Sequence, residues 1–178
     1  MPYSDFIERL FLTPGTLSRL FPSDPREISR ILQIREVQDG ALMGDELPHD
    51  PSLVLILRSL LFYFFDALDD ARWAIQSVEG DHAAYVRAMI HRRMGDMQST
   101  KDLYARAGLH PAFHGMHRAA AQRSPQMAKQ FNWDPYMFTL MCEQYKFGAQ
   151  EEESELLFLQ KIEFEHIFDY TWRQLQPR

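Results

Sequence analysis

The sequence contains a single cysteine, which limits both its covalent chemistry and the compartment that suits it. Cys142 cannot form a disulfide within the chain, and its position in the apolar stretch MFTLMC predicts a buried, unreactive thiol. The first residues, MPYSDFIERLFL, also lack the basic start and the small-residue cleavage site of a secretory signal. Together these features predict a cytoplasmic protein in a reducing compartment.

Clustered positive charge and long apolar runs are also missing. The chain has 19 Lys and Arg against 25 Asp and Glu, and no basic cluster exceeds the pair Arg92 and Arg93. Neither nucleic acid nor an anionic membrane is therefore an expected partner. The most hydrophobic segment, SLVLILRSLLFYFFDAL (52–68), is shorter than a membrane span and contains Arg58 and Asp66. It predicts a central core helix and no transmembrane anchor.

Strand patterns are scarce, whereas apolar residues recur at spacings of three and four, so the chain is predicted to be all-α. Hydrophobic residues make up 46% of the chain and charged residues 25%, which predicts one packed domain over residues 1–178. Prolines break residues 1–50 into short helices, near 3–12, 14–21 and 25–38, and an ordered loop, QDGALMGDELPHDP.

The helical body, residues 51–178, is predicted to consist of helical hairpins packed as a bundle or a short superhelix. Its first helices are expected at 52–65, 68–80, 81–94 and 96–107, and two more at 134–147 and 151–175. Asp50 or Ser52, Asp81 and Asp96 are the predicted helix caps. The last helix is apolar most of the way round and is expected to pack deep in the bundle.

A weak internal repeat relates the first two hairpins. A shift of 29 residues aligns Leu57 with Val86 and Arg58 with Arg87. One helical hairpin cannot bury its apolar face alone, so the repeat predicts two stacked hairpins. The order of residues in GDMQSTKDLYARAGLHP (95–111) resembles the tetratricopeptide repeat (TPR) pattern, which implies a TPR-like hairpin.

Three further blocks, YVRAMIHRRMGD (85–96), AGLHP (107–111) and EFEHIFDYTWRQ (163–174), resemble a family of uncharacterised all-α bacterial proteins. That family carries Y-W-H-x-x-x-H-R-R-E-G-D, then G-x-H-P, then an acidic and aromatic F-D-Y block. The resemblance implies no known activity. Val86, Arg87 and Met94 stand where the family has Trp, His and Glu. Arg87 and His91 match family histidines at a metal-ligand spacing, and since arginine is not a normal ligand, no metal is expected at this pair.

Other histidines and acids have spacings that suit metals. His110, His114 and His117 would share one helix face, as zinc ligands do, although Gly115 weakens that helix and caps or surface residues explain them equally. The Glu-x-x-His pairs at Glu79 and Glu163 resemble those of di-iron bundles, but such bundles also need a Glu from each of two other helices, and the first pair straddles the break at Gly80. The D-x-x-D-D motif at Asp66, Asp69 and Asp70 resembles a magnesium motif, but acids also begin helices. We therefore predict no metal and no cofactor.

The remaining basic residues suggest a ligand site. Arg87, His91, Arg92 and His110 could surround a small anion, because guanidinium groups pair with carboxylates and phosphates. The alternative is that Arg87, Arg92 and Arg93 neutralise nearby acids of the chain, such as Asp66, Asp96 and Asp102. The basic side chains around His91 are expected to lie along one edge of their helix.

Two functions follow from these patterns. The first is a non-catalytic helical interaction module that holds a protein partner or a small anion against the third helix of the body and the His110 turn. The second is a metal- or small-molecule-dependent enzyme built around His91, His110 and His114, although no nucleophile–base pair or phosphate loop supports it. Aromatic residues at both ends would also allow a homodimer through Phe6, Phe11, Phe21, Tyr170 and Trp172.

Overall fold

The computed structural model describes residues 3–44, 50–148 and 152–176. Within these ranges the chain is all-α, as predicted, with eleven helices and no strand. The helices are α1 (Asp5–Phe11), α2 (Ile28–Glu36), α3 (Asp39–Met43), α4 (Pro51–Phe64), α5 (Leu68–Ala74), α6 (Asp81–Met94), α7 (Met97–Ala107), α8 (Phe113–Ala120), α9 (Pro125–Ala128), α10 (Pro135–Lys146) and α11 (Glu153–Leu175).

In the described ranges, none of these helices combines the length and the hydropathy that crossing a bilayer requires.

The N-terminal region departs from the sequence prediction at three points. The helix expected at 14–21 does not form, because Gly15 and Leu17 both have left-handed backbones, with φ of 77° and 55°. The next helix begins at Ile28, since Glu27 before it is also left-handed. The predicted loop contains the short helix α3, and its residues 45–49 lie outside the described ranges.

The helix caps are local features, and most of them were predictable. The carboxylate of Asp50 accepts a hydrogen bond from the Ser52 amide, and that of Asp96 from the Ser99 amide. Asp81 was predicted to cap α6, but it is the first helical residue, and Gly80 before it provides no side-chain cap. That prediction is wrong because the chain turns at Gly80, one residue earlier.

Helices α4 and α5, and α6 and α7, pack as hairpins, and α11 lies along α4, α8 and α10. The deep packing expected for α11 is confirmed, because buried residues recur along its whole length, from Leu156 to Leu175. The aromatic residues of the two chain ends meet here within one molecule: the Phe11 and Phe168 rings are 4.9 Å apart, and the Tyr3 and Trp172 rings 5.6 Å.

The 29-residue offset also relates contacts of the two hairpins. Arg58 donates to the carbonyls of Ile34 and Val37 at the end of α2, and Arg87 donates to those of Ile75 and Val78 after α5. Asp66 and Gly95, which occupy equivalent turns, both have left-handed backbones. The equivalent arginines therefore both donate to backbone carbonyls at or just after the end of the preceding helix.

We expect Leu57→Ala to lower the free energy of unfolding by about 2–5 kcal/mol, because the side chain is fully buried and its truncation leaves a cavity. Urea denaturation measures this loss. Leu12→Ala is the matched control, since Leu12 is 82% exposed and should lose less than about 0.5 kcal/mol. A similarly small loss at Leu57 would contradict a packed interior there.

Candidate functional site

A polar network lies buried between α6, α7 and α11, centred on Glu163. One oxygen of this carboxylate accepts hydrogen bonds from the hydroxyls of Tyr85, at 2.9 Å, and Tyr104, at 3.0 Å. Both oxygens accept from the guanidinium of Arg92, which also donates to the Tyr104 hydroxyl at 2.7 Å. Arg92 and Glu163 are both fully buried, so the ion pair is shielded from solvent.

The network fixes the protonation of its members. Burial and the Glu163 charge raise the pKa of the Tyr85 and Tyr104 hydroxyls well above the ordinary tyrosine value. For Arg92, burial lowers the pKa, but the charge and hydrogen bond of Glu163 together with the nearby tyrosines outweigh burial, and the net shift is upward. The two tyrosines therefore remain neutral donors and Arg92 remains a cation near neutral pH.

A second buried ion pair joins the two hairpins. Arg93 contacts the carboxylate of Asp66 and donates to the Tyr63 carbonyl at 2.7 Å, while Arg19 binds the other Asp66 oxygen at 2.6 Å. Arg93 thus neutralises Asp66, as the alternative interpretation of the arginines predicted. The other acids of the D-x-x-D-D motif also bind arginines: Asp69 binds Arg72, and Asp70 binds Arg35.

Two histidines form a directed hydrogen-bonded chain beside this network. The Ala112 amide donates to Nδ1 of His110, so Nε2 of the neutral His110 ring carries the proton and donates to Nδ1 of His82 at 3.0 Å. Nε2 of His82 then donates to the hydroxyl of Thr171 at 2.9 Å, and Thr171 donates to the Ile167 carbonyl. Burial lowers the pKa of His82 to about 3 and that of His110 to about 4.

The four residues predicted to surround an anion have separate partners in the structure. Arg87 binds carbonyl groups, His91 lies 3.2 Å from the Asp96 carboxylate, Arg92 binds Glu163, and His110 bonds to His82. His110 lies beside the network that holds Arg92, because the ring of Tyr85 is 5.3 Å from that of His110 and its hydroxyl donates to Glu163. The expectation that the basic side chains lie along one edge of α6 is wrong, because Arg92 and Arg93 are buried.

The predicted histidine cluster is not assembled either. His114 is exposed on α8 and His117 is half-buried there, while His110 turns inward to His82. In the part of the chain that the structure describes, no group of three or more His, Cys, Asp and Glu side chains is placed to hold a metal ion.

A cleft of about 450 Å³ opens beside the His110 turn, between the end of α7 and the segment before α10. We call it the aromatic cleft, because three buried aromatic residues contribute to its lining: Tyr104, Phe113 and Trp133. Its other large apolar residues are exposed: Leu109 is 90% exposed, Phe131 fully and Tyr136 43%. Sequence reasoning missed this cleft, although the aromatic residues of QFNWDPY were a signal.

The aromatic cleft is built on the buried network. The indole nitrogen of Trp133 donates to the Tyr85 hydroxyl at 2.9 Å. Tyr104, which also lines the cleft, donates its hydroxyl hydrogen bond to Glu163. Asp134 caps α10 by accepting from the amides of Tyr136 and Met137, which fixes the chain next to Trp133. Two lining aromatics are therefore held by their polar ends.

We expect Glu163→Gln to destabilise the fold by about 3–5 kcal/mol, because it leaves the buried Arg92 charge without a counter-ion. Urea denaturation at neutral pH measures the loss. Glu165→Gln, on the exposed side of the same helix, is the matched control and should cost less than about 0.5 kcal/mol. Equal losses for the two variants would contradict the central role of the pair.

Comparison with known proteins assigns no relationship to these features. No protein-family model matches the chain, and neither the curated proteins nor the solved structures include a match. The resemblance of residues 85–96, 107–111 and 163–174 to a bacterial family therefore stays a prediction.

Proposed function

We propose that the protein is a non-catalytic helical interaction module that binds an apolar segment of a partner protein in the aromatic cleft. The observation that carries this proposal is that two large apolar side chains, Leu109 and Phe131, are exposed to solvent at the same cleft. The lining of this cleft also includes buried aromatic rings that are held in place. The cleft adjoins the His110 turn, where the sequence suggested that a partner is held.

The energetics favour an apolar occupant. Covering an exposed leucine or phenylalanine contributes about 1.5–3 kcal/mol, so Leu109 and Phe131 together supply much of the free energy of a micromolar complex. Pockets with fixed walls bind aromatic or leucine anchors well, because little conformational freedom is lost on binding. The hydrogen bond between Trp133 and Tyr85 provides one such fixed wall.

The protein ligand is favoured over the anion and over the enzyme alternative. Arg92 already has Glu163 as its counter-ion, and His91 is hydrogen-bonded to Asp96, so an anion would have to displace carboxylates of the chain. For catalysis, a proton-transferring group would be needed near a cleft, and the tyrosines next to this one keep their protons.

The scaffold agrees with this function. The α4–α5 and α6–α7 hairpins suit a TPR-like arrangement, and stacked helical hairpins commonly present surfaces that bind peptides. The buried position of Cys142 and the acidic net charge fit our proposal of a cytoplasmic location. Homodimerisation through the terminal aromatic residues stays a prediction. Because these rings pack on one another within one molecule, less of their apolar surface is available to a second copy of the chain.

Selection of displayed random peptides against the purified protein tests the proposal. We expect the selected peptides to share an aromatic or leucine anchor. Phe131→Ser and Leu109→Ser should each raise the dissociation constant of such a peptide by about tenfold or more, because each removes a large apolar contact.

Phe147→Ser is the matched control for this experiment, because Phe147 is 79% exposed and does not line the aromatic cleft. It should leave the dissociation constant unchanged. Failure to select any peptide, or equal effects of Phe131→Ser and Phe147→Ser, would overturn the proposed function.

A further inference from the structure

The His110 turn carries one wall of the aromatic cleft. Gly108 and Leu109 line the cleft directly, and His110 follows them at once in the chain. Phe113, which also lines the cleft, has its ring 6.0 Å from that of His110. The position of His110 therefore determines where this wall stands.

The position of His110 depends in turn on two hydrogen bonds that require neutral rings. Nδ1 of His110 accepts from the Ala112 amide, and Nδ1 of His82 accepts from Nε2 of His110. A proton added to either Nδ1 removes an acceptor and places a donor opposite a donor. Protonation and the observed geometry of the chain are thus mutually exclusive.

The surroundings of the two rings offer no charge that would stabilise a cation there. The groups that face the pair are the rings of Tyr85 of α6, Phe113 of α8 and Tyr170 of α11, and the hydroxyl of Thr171 of α11. Among the described residues, no carboxylate bonds to either ring. Glu163 lies beyond Tyr85 and is neutralised by Arg92.

We propose that the hydrogen-bonded pair of His82 and His110 is a proton-sensitive latch, which holds in place the wall of the aromatic cleft formed by Gly108 and Leu109 (the Leu109 wall). Acid breaks the pair, moves this wall away and so releases the bound segment. The opening of the wall does not depend on the proposed function. The release of a partner rests on the proposed function.

The direction of the pH effect follows from the two pKa shifts. Both histidines have a lowered pKa in the closed structure, about 3 for His82 and about 4 for His110, against 6.5 for an ordinary histidine. The closed state is therefore fully favoured above pH 6.5 and loses stability as the pH falls toward about 4. At pH 5 the opening equilibrium rises by about thirtyfold for each histidine that opening exposes to water.

Amide hydrogen exchange measured by NMR tests the latch without any ligand. The Ala112 amide is the probe, because its proton is bonded to His110. After correction for the intrinsic effect of pH, we expect its exchange to speed up by about twentyfold or more between pH 7 and pH 5. The amide of Leu57 in the core serves as the reference for global unfolding and should change less.

Two variants separate the latch from a general effect of acid. His110→Asn retains an acceptor for the Ala112 amide but cannot be protonated, and should lose most of the increase. His114→Gln, at an exposed histidine of α8, should retain the wild-type increase. Core exchange shows whether each variant is folded.

The second test measures, at neutral pH and at pH 5, the binding of the peptide selected against the aromatic cleft. The peptide should bind the wild type more weakly at pH 5 and bind His110→Asn almost equally at both pH values. If no peptide binds at either pH, the proposed function fails while the exchange data still decide the latch. The latch itself is wrong if Ala112 and Leu57 show the same acceleration, or if His110→Asn behaves like the wild type.

Discussion

The buried ion pair between Arg92 and Glu163 is the contact on which the arrangement of the helices depends. Removing both charges from water is costly, and their attraction compensates for this only if the remaining donors and acceptors are satisfied. Tyr85 and Tyr104 meet that condition by donating to the carboxylate. As a result α6, α7 and α11 must keep one relative position, and the segment before α10 joins them through Trp133.

The aromatic cleft is the outer side of this network. Tyr104 and Trp133 each have a polar end that is bonded inside the protein and a ring that lines the cleft, so the network that stabilises the bundle also orders the binding surface. A fixed aromatic lining loses little entropy on binding, which is how a shallow cleft can bind an apolar segment. The histidine pair touches the same network through Tyr85 and adds a response to protons.

The sequence predicted the parts of the structure that are local. Asp96 caps α7 and Gly95 permits the left-handed turn before it, and both functions can be read from a few neighbouring residues. The partner of Arg92 was not predictable, because Glu163 is 71 residues away and nothing in its own helix pattern marks it as a counter-ion. For the same reason the pairing of His82 with His110 emerged only from the packing, whereas the aromatic residues of QFNWDPY were a partial signal for the aromatic cleft, whose lining spans residues 104–136. The left-handed backbone of Glu27 had no sequence signal at all.

The stretch MIHRRMGD shows how three adjacent basic residues can serve one structural purpose. Successive residues of a helix point about 100° apart, so His91, Arg92 and Arg93 reach different neighbours. His91 meets Asp96 beyond the turn, Arg92 meets Glu163 on α11, and Arg93 meets Asp66 between α4 and α5. Each of the three side chains thus bonds to an acid, and α6 is joined to three parts of the fold at once. A helix so constrained can support the cleft, but none of these three side chains is left unpaired for an anion, and for this reason we place the binding function on the apolar surface beside it.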